Sequence, residues 1–173
     1  MKILETERLI LRHASTDDAK TILALLNDNS FIHNIGDRGV RTLEDARDYI
    51  LSRLVASYEK YGFGMYMVVV KETGVSAGLC GLVKRDGLDD VDIGYALLPQ
   101  YWFNGYASEA ALAVKEYAKT TIGLRRLVAI TDPENQGSIR VLEKIGLEFE
   151  KMVKLSEDDI ELNLYAVNFS NGR

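Results

Sequence analysis

Residues 65–98 place three strand-like runs in immediate succession, and this constrains the fold of the chain more than any other feature. Met65–Lys71, Ser76–Arg85 and Asp89–Leu98 follow one another through short turns, the first marked by Gly74. Strands this close in sequence return antiparallel, because a parallel neighbour needs a crossover connection of a dozen or more residues. The meander therefore predicts the centre of a mostly antiparallel sheet.

The flanking segments supply the other elements. Arg8–His13 alternates Leu9 and Leu11 against Arg8, Ile10 and Arg12, which predicts a strand. Thr16, with Asp17 and Asp18, opens a helix whose apolar residues Ala19, Ile22, Leu23, Leu25 and Leu26 recur at helical spacing. Residues 27–41 read as irregular. Thr42, supported by Glu44 and Asp45, caps a longer helix with Leu43, Ala46, Ile50 and Leu54 as its buried stripe, ended by Gly62 and Gly64. After the meander come a helix from Gly105, a strand over Arg125–Thr131 and a helix over Asn135–Ile145 closed by Gly146. Leu147–Lys154 and Glu161–Phe169 form a last hairpin around Ser156–Asp159. The order β-α-α-β-β-β-α-β-α-β-β predicts an α+β (mixed α/β) fold, with residues 1–173 as one domain.

Composition narrows the function classes. The net charge is −5, opposite to the basic face of a nucleic-acid binder and compatible with a cationic, amine-bearing partner. One cysteine, Cys80, rules out an internal disulfide and fits a reducing cytoplasm; it lies in an apolar run and reads as core rather than nucleophile. His13 and His33 are too few and too isolated for a metal site. Glu5, Glu7 and Arg8 break any apolar signal segment, and no run approaches a membrane span, so a cytoplasmic protein is expected, monomer or homodimer. Asn168-Phe-Ser170 spells a glycosylation acceptor without a secretory context, and Asn171–Arg173 reads as a frayed end.

The stretch PQYWFNGYASEAALAVKEYA, Pro99–Ala118, joins a strand end to a small-residue helix through Asn104 and Gly105. A first helical turn carries free N–H groups and partial positive charge, and a glycine there lets a ligand approach the backbone, so the turn suits an anion such as phosphate. The same letters also describe an ordinary strand–helix connection. Neither G-x-x-x-x-G-K-[ST] nor G-x-G-x-x-G occurs; Gly62-Phe-Gly64 lacks the third glycine.

Asp92–Pro99, DIGYALLP, followed by Trp102–Ala110, WFNGYASEA, resembles the acetyl-CoA motif of the GNAT N-acetyltransferases. More closely it resembles the branch that contains the ribosomal-protein N-terminal alanine acetyltransferases. Thr6–Arg12, TERLILR, is similar to that branch's opening strand, Gly78–Leu82 to its central hairpin, and Asn135–Gly146, NQGSIRVLEKIG, to its N-x-x-S-x-R-V-L-E-K-x-G segment. Where the branch commonly reads W-G-K-G-Y-A, this chain has Phe103 for the first glycine and Asn104 for the basic residue. If that glycine has positive φ, Phe103 is strained.

The resemblance implies a sheet splayed between the fourth and fifth predicted strands, flanked by helices, with acetyl-CoA as acetyl donor and no metal. Pantetheine would pair with Ala96, Leu97 and Leu98, and pyrophosphate would sit on the amides of Phe103, Asn104, Gly105, Tyr106, Ala107 and Ser108. Asn135 and Ser138 would contact the pantetheine arm, and Arg140 would lie near the phosphates. Ser138 stands where the branch places its proposed acid at the thiol; read locally, it is a helix-turn hydroxyl satisfying backbone. A backbone N–H at Leu97 or Leu98 would serve the developing oxyanion. The Tyr and Glu that some relatives use as acid and base are replaced by Leu142 and Ile130.

Candidate bases are Asp92, Glu161 and a water chain, with Asp92 read first as part of a solvated acidic turn with Asp89 and Asp90. Tyr165 could line the acceptor pocket, although it, Tyr66 and Tyr95 read equally as core. The acceptor site is expected at Phe31–Arg41 and Ser156–Glu161, where Glu157, Asp158, Asp159 and Glu161 could attract a cation or simply solvate a hairpin tip. The implied reaction acetylates a primary amine, either a protein N-terminus or a small amine such as a polyamine, amino sugar or antibiotic. The missing Tyr and Glu and the altered turn leave a non-catalytic CoA-binding module as the alternative.

Overall fold

The computed structural model describes residues 1–169; Ser170 of the sequon and the Asn171–Arg173 tail lie outside them. Among the described residues eight strands occur: β1 (Lys2–Glu5), β2 (Leu9–Arg12), β3 (Met65–Val70), β4 (Ser76–Val83), β5 (Asp92–Leu97), β6 (Arg126–Thr131), β7 (Glu148–Val153) and β8 (Leu162–Asn168). They form one open sheet in the order β1-β2-β3-β4-β5-β6-β8-β7. Every neighbour is antiparallel except β5 and β6, which run parallel. The expected meander is β3-β4-β5. β1 was not expected; it is a four-residue edge strand with no buried residue, so no apolar alternation announces it.

Helices cover both faces: α1 (Ala19–Leu26), α2 (Asn29–Asn34), α3 (Leu43–Tyr49), α4 (Ala56–Tyr61), α5 (Tyr106–Tyr117) and α6 (Gln136–Lys144). The first cap is Ser15, not Thr16. Ser15 accepts from the Asp17 N–H, and the Asp18 carboxylate accepts from the Ser15 N–H at 2.9 Å while also holding Arg12. α2 falls inside the stretch read as irregular; only Phe31 of its six residues is buried, too little for a period to show. Thr42 and Asp45 form the expected capping box, and α3 runs through a π-helical stretch at Ile50–Val55 into α4. Ala46, Ile50 and Leu54 are buried, but Leu43, at the first helical position, is exposed.

On one face, Ala110, Ala111 and Val114 of α5 and Leu142 of α6 pack onto Leu9, Leu11, Val68, Leu82, Leu127 and Ala129 of the sheet. On the other, Ile22, Leu25 and Leu26 of α1, with Ala46 and Ile50, pack onto Met67 and Leu79. Gly78 in β4 admits β5 closely: a Cβ there would lie 2.2 Å from the Ala96 carbonyl oxygen. No helix among the described residues is long and apolar enough to cross a membrane.

One joint positions everything that follows. β5 and β6 pair only at Asp92 and Val128, where the Val128 N–H donates to the Val91 carbonyl at 3.1 Å. Beyond it the strands diverge. This is the expected splay, between the fifth and sixth strands once β1 is counted.

Candidate active site

The backbone of β5 decides what the gap offers. The Leu98 N–H donates to the Ala77 carbonyl at 2.9 Å, so Leu98 points its amide at β4. Alternate residues of a strand share a direction, so Ala96 and Gly94 also bond toward β4, while Leu97 and Tyr95 turn their backbone groups toward β6. The Leu97 carbonyl is taken by the Trp102 indole N–H at 2.8 Å. Of Ala96, Leu97 and Leu98, only Leu97 therefore presents its N–H to the gap. The two candidate oxyanion donors narrow to that one.

The turn after β5 runs through a 3₁₀ turn at Pro99–Tyr101 to Gly105, which caps α5 at φ 81° and ψ 5°. That is left-handed backbone, available to glycine without strain. Among the described residues none of the N–H groups from Phe103 to Ser108 meets an acceptor; the next, Glu109, donates to the Gly105 carbonyl at 3.0 Å. Six adjacent free donors at a helix N-terminus make an anion-binding surface. Among the described residues Phe103 is the only non-glycine at positive φ, 63°, and its ring is 97% exposed, edge-on to Trp102. Asn104 does not reach outward: its amide donates back to the Tyr101 and Trp102 carbonyls at 3.2 and 3.0 Å.

Arg8, 96 residues earlier, supports this turn. Its guanidinium donates to the Asn104 carbonyl at 2.8 Å and to Glu109 at 2.7 Å, and lies 4.6 Å from the Tyr106 ring centroid. Glu109 also accepts from the Thr6 hydroxyl and the Arg8 N–H. Burial pushes the Glu109 carboxyl up, but these hydrogen bonds and the Arg8 charge more than offset it and hold it low. The opening motif TERLILR was legible; that its first arginine, Arg8, holds the turn before α5 was not, because nothing in the letters links the two.

Across the gap, Asn135 caps α6 by accepting from the Ser138 N–H at 3.2 Å. The Tyr95 hydroxyl meets Ser138 twice, donating to its carbonyl at 2.9 Å and lying 3.0 Å from its Oγ. Burial raises the Tyr95 phenol, with the Ser138 hydrogen bond pulling it back. Asn135, Ser138 and Tyr95 are thus one connected group, of which Tyr95 was read only as possible core. Arg140 is exposed two residues further along α6.

Asp92 is not in a solvated turn; it is 1% exposed. One carboxylate oxygen accepts from Arg85 at 3.0 Å, and Oδ1 is buried without a partner among the described residues. Burial pushes its carboxyl to about 6, against the pull of the Arg85 charge. The other candidates separate cleanly. Glu161 is exposed, while Tyr66 and Tyr165 are buried in the core beneath α5 and α6. Cys80 is fully buried, and burial raises its thiol, as suits a core residue. Phe31 and Val40 join the apolar cluster against which Ala96 and Leu98 pack, so the segment Phe31–Arg41 adjoins the end of β5. Ser156–Glu161 is exposed throughout. A charged depression lined by Asp89, Asp90, Arg126 and Lys151 lies at the joined end of β5 and β6, away from the gap.

Comparison with known proteins accounts for this arrangement. The acetyltransferase (GNAT) domain matches residues 8–148. The uncharacterized N-acetyltransferase YoaA of Bacillus subtilis is 31% identical over 154 residues, 88% of this chain and 86% of that one. A GNAT-family acetyltransferase structure from Bacillus anthracis superposes with a TM-score of 0.80 at 28% identity, covering 97% of this chain and 98% of that one. RimL, a ribosomal L7/L12 alpha-N-protein acetyltransferase solved with coenzyme A, superposes with a TM-score of 0.83 at 20% identity, covering 97% and 98%. The chain belongs to the GNAT family and is an acetyl-CoA-dependent N-acetyltransferase.

Proposed function

We propose that this enzyme acetylates the N-terminal α-amine of a protein, with acetyl-CoA lying across the gap between β5 and β6. The observation that carries the reading is the gap itself: an open parallel joint with the free Leu97 N–H on one wall and the six free amides of Phe103–Ser108 at its mouth. Acetyl-CoA supplies the thioester. The amides of Phe103–Ser108 hold its pyrophosphate, Asn135 and Ser138 contact the pantetheine arm, and Arg140 lies by the phosphates. The Leu97 N–H stabilises charge developing on the acetyl oxygen. The Ser138 hydroxyl donates to the sulfur. The proton that leaves the acceptor amine passes to water; Asp92, buried at the closed joint and five strand residues from Leu97, roughly 16 Å along β5, lies too far away to take it.

Support for a protein acceptor comes from the resemblance to the ribosomal-protein branch and from the superposition on RimL, named for an α-N-protein substrate. The exposed carboxylates of Glu157, Asp158, Asp159 and Glu161 suit a cationic chain start, and they suit a polyamine as well. A thiol-release assay decides between them. Acetyl-CoA is offered with peptides bearing free N-termini, with polyamines and with aminoglycosides. Release is expected with the peptides and is abolished when their N-termini are blocked. Release with polyamines or aminoglycosides alone would overturn the protein acceptor.

A further inference from the structure

Ser138 is surrounded more completely than a helix-turn hydroxyl requires. Its N–H is committed to Asn135 at 3.2 Å, and both of its oxygens face the Tyr95 hydroxyl, at 2.9 and 3.0 Å. Tyr95 belongs to β5, the strand whose Leu97 N–H opens on the gap, and Ser138 belongs to the first turn of α6 on the opposite wall. One phenol therefore ties the two walls together at the residue read as the donor to the leaving sulfur.

A phenol has one proton to give and can also accept. Given to the Ser138 carbonyl alone, that proton leaves the Tyr95 oxygen to accept from the Ser138 hydroxyl, which ties up the serine proton. Shared between the carbonyl at 2.9 Å and Oγ at 3.0 Å as a three-centre bond, it also occupies a serine lone pair and leaves the serine proton free. We infer that Tyr95 is the positioning residue for Ser138: by donating to its carbonyl and Oγ together it holds the serine and leaves its O–H free for the thioester sulfur. The inference rests on the reading of Ser138 given above.

The bond accounting assigns neither hydroxyl a net loss. The C–N bond forms, the C–S bond breaks, and the electron pair of C–S goes to sulfur. The proton that nitrogen sheds equals the one the free thiol finally carries. A buried phenol and an aliphatic hydroxyl are both weaker acids than a thiol, so outright proton transfer from either to the thiolate would run uphill. Hydrogen bonding to sulfur as charge develops does not have that difficulty.

The test is a double-mutant cycle in the thiol-release assay. Tyr95→Phe keeps the ring and removes one oxygen; melting temperatures confirm that each variant is folded. Ser138→Ala alone is expected to lower kcat, which tests the Ser138 reading by itself. Tyr95→Phe is expected to lower kcat about 2- to 10-fold, the worth of one hydrogen bond, with KM for acetyl-CoA unchanged. The double variant should be no slower than Ser138→Ala. An equal Tyr95→Phe effect in both backgrounds would mean that Tyr95 acts independently of Ser138 and would overturn the inference. A rise in KM without a fall in kcat would also overturn it, assigning the tie to holding the walls. If Ser138→Ala is as fast as wild type, the reading of Ser138 falls first and takes the inference with it.

Discussion

The Arg8 guanidinium donates to the carbonyl of Asn104 at 2.8 Å, joining the start of β2 to the turn before α5. The C=O and N–H of one trans peptide point in opposite directions, so a cation on the Asn104 carbonyl lies behind the Gly105 amide and braces the turn there. Arg8→Met should therefore leave the chemistry intact and loosen the site. The expected result is a 3- to 10-fold rise in KM for acetyl-CoA with kcat within about twofold, on the order of one charge-assisted hydrogen bond. Glu109→Gln should act in the same direction, and a fall in kcat alone would contradict the brace.

Phe103 carries the cost of a side chain in left-handed backbone, roughly 1–2 kcal/mol for an L-residue, and its exposed ring recovers little of it. Phe103→Gly removes that cost and adds back some chain entropy, about 0.5–1 kcal/mol. The variant should melt about 1–3 °C higher. Its acetyl-CoA affinity should be equal or better, because the backbone N–H stays in place. A lower melting temperature would show that the ring contributes contacts worth more than the strain.

Asn104→Lys restores a cation where the resembled branch has one. Binding of coenzyme A, followed by calorimetry, should tighten about 2- to 5-fold at low salt and converge on wild type at high salt, because an exposed charge is screened within a Debye length. The variant also loses the Asn104 bonds to Tyr101 and Trp102. A small drop in melting temperature is therefore expected alongside the tighter binding. Equal affinity at low salt would remove charge from the account of this turn.

Asp92 gives a pH signature. Its carboxyl is held near 6 in the folded chain against an ordinary 3.8, burial being the main cause. Between those values the folded protein keeps a proton that the unfolded chain has released, so this group's contribution to stability declines as pH rises from about 4 to about 6. The decline amounts to at most about 3 kcal/mol at 1.36 kcal/mol per pKa unit. Asp92→Asn lacks this slope. The stability of the variant relative to wild type should climb across that window and level off above it. Denaturant melts at stepped pH measure this, and a difference that stays flat would contradict the raised carboxyl.

Much of this molecule was written in local pattern. The meander came from three adjacent runs, the cap at Thr42 from a short polar side chain before an apolar period, and the turn from Gly105. What was missed shares one physical character. β1 and α2 bury too few residues to generate a period, and Ser15 rather than Thr16 caps because Asp18, three residues on, completes a capping box with it. At the site, the row of amides was legible because it is contiguous in sequence. The Arg8 brace, the Tyr95–Ser138 tie and the burial of Asp92 depend on partners 96, 43 and 7 residues away. Family resemblance could name Ser138 but could not show what holds it.

The single pairing of Asp92 with Val128 has a thermodynamic consequence. Beyond that pair the sheet lacks the rungs that would normally fasten its two halves, and under the proposed reading a donor molecule occupies their place. Acetyl-CoA would then be part of the scaffold as well as a reactant. Occupancy at 100 times Kd adds about 2.7 kcal/mol to unfolding. The lifetime of this enzyme would accordingly rise and fall with the supply of acetyl-CoA around it.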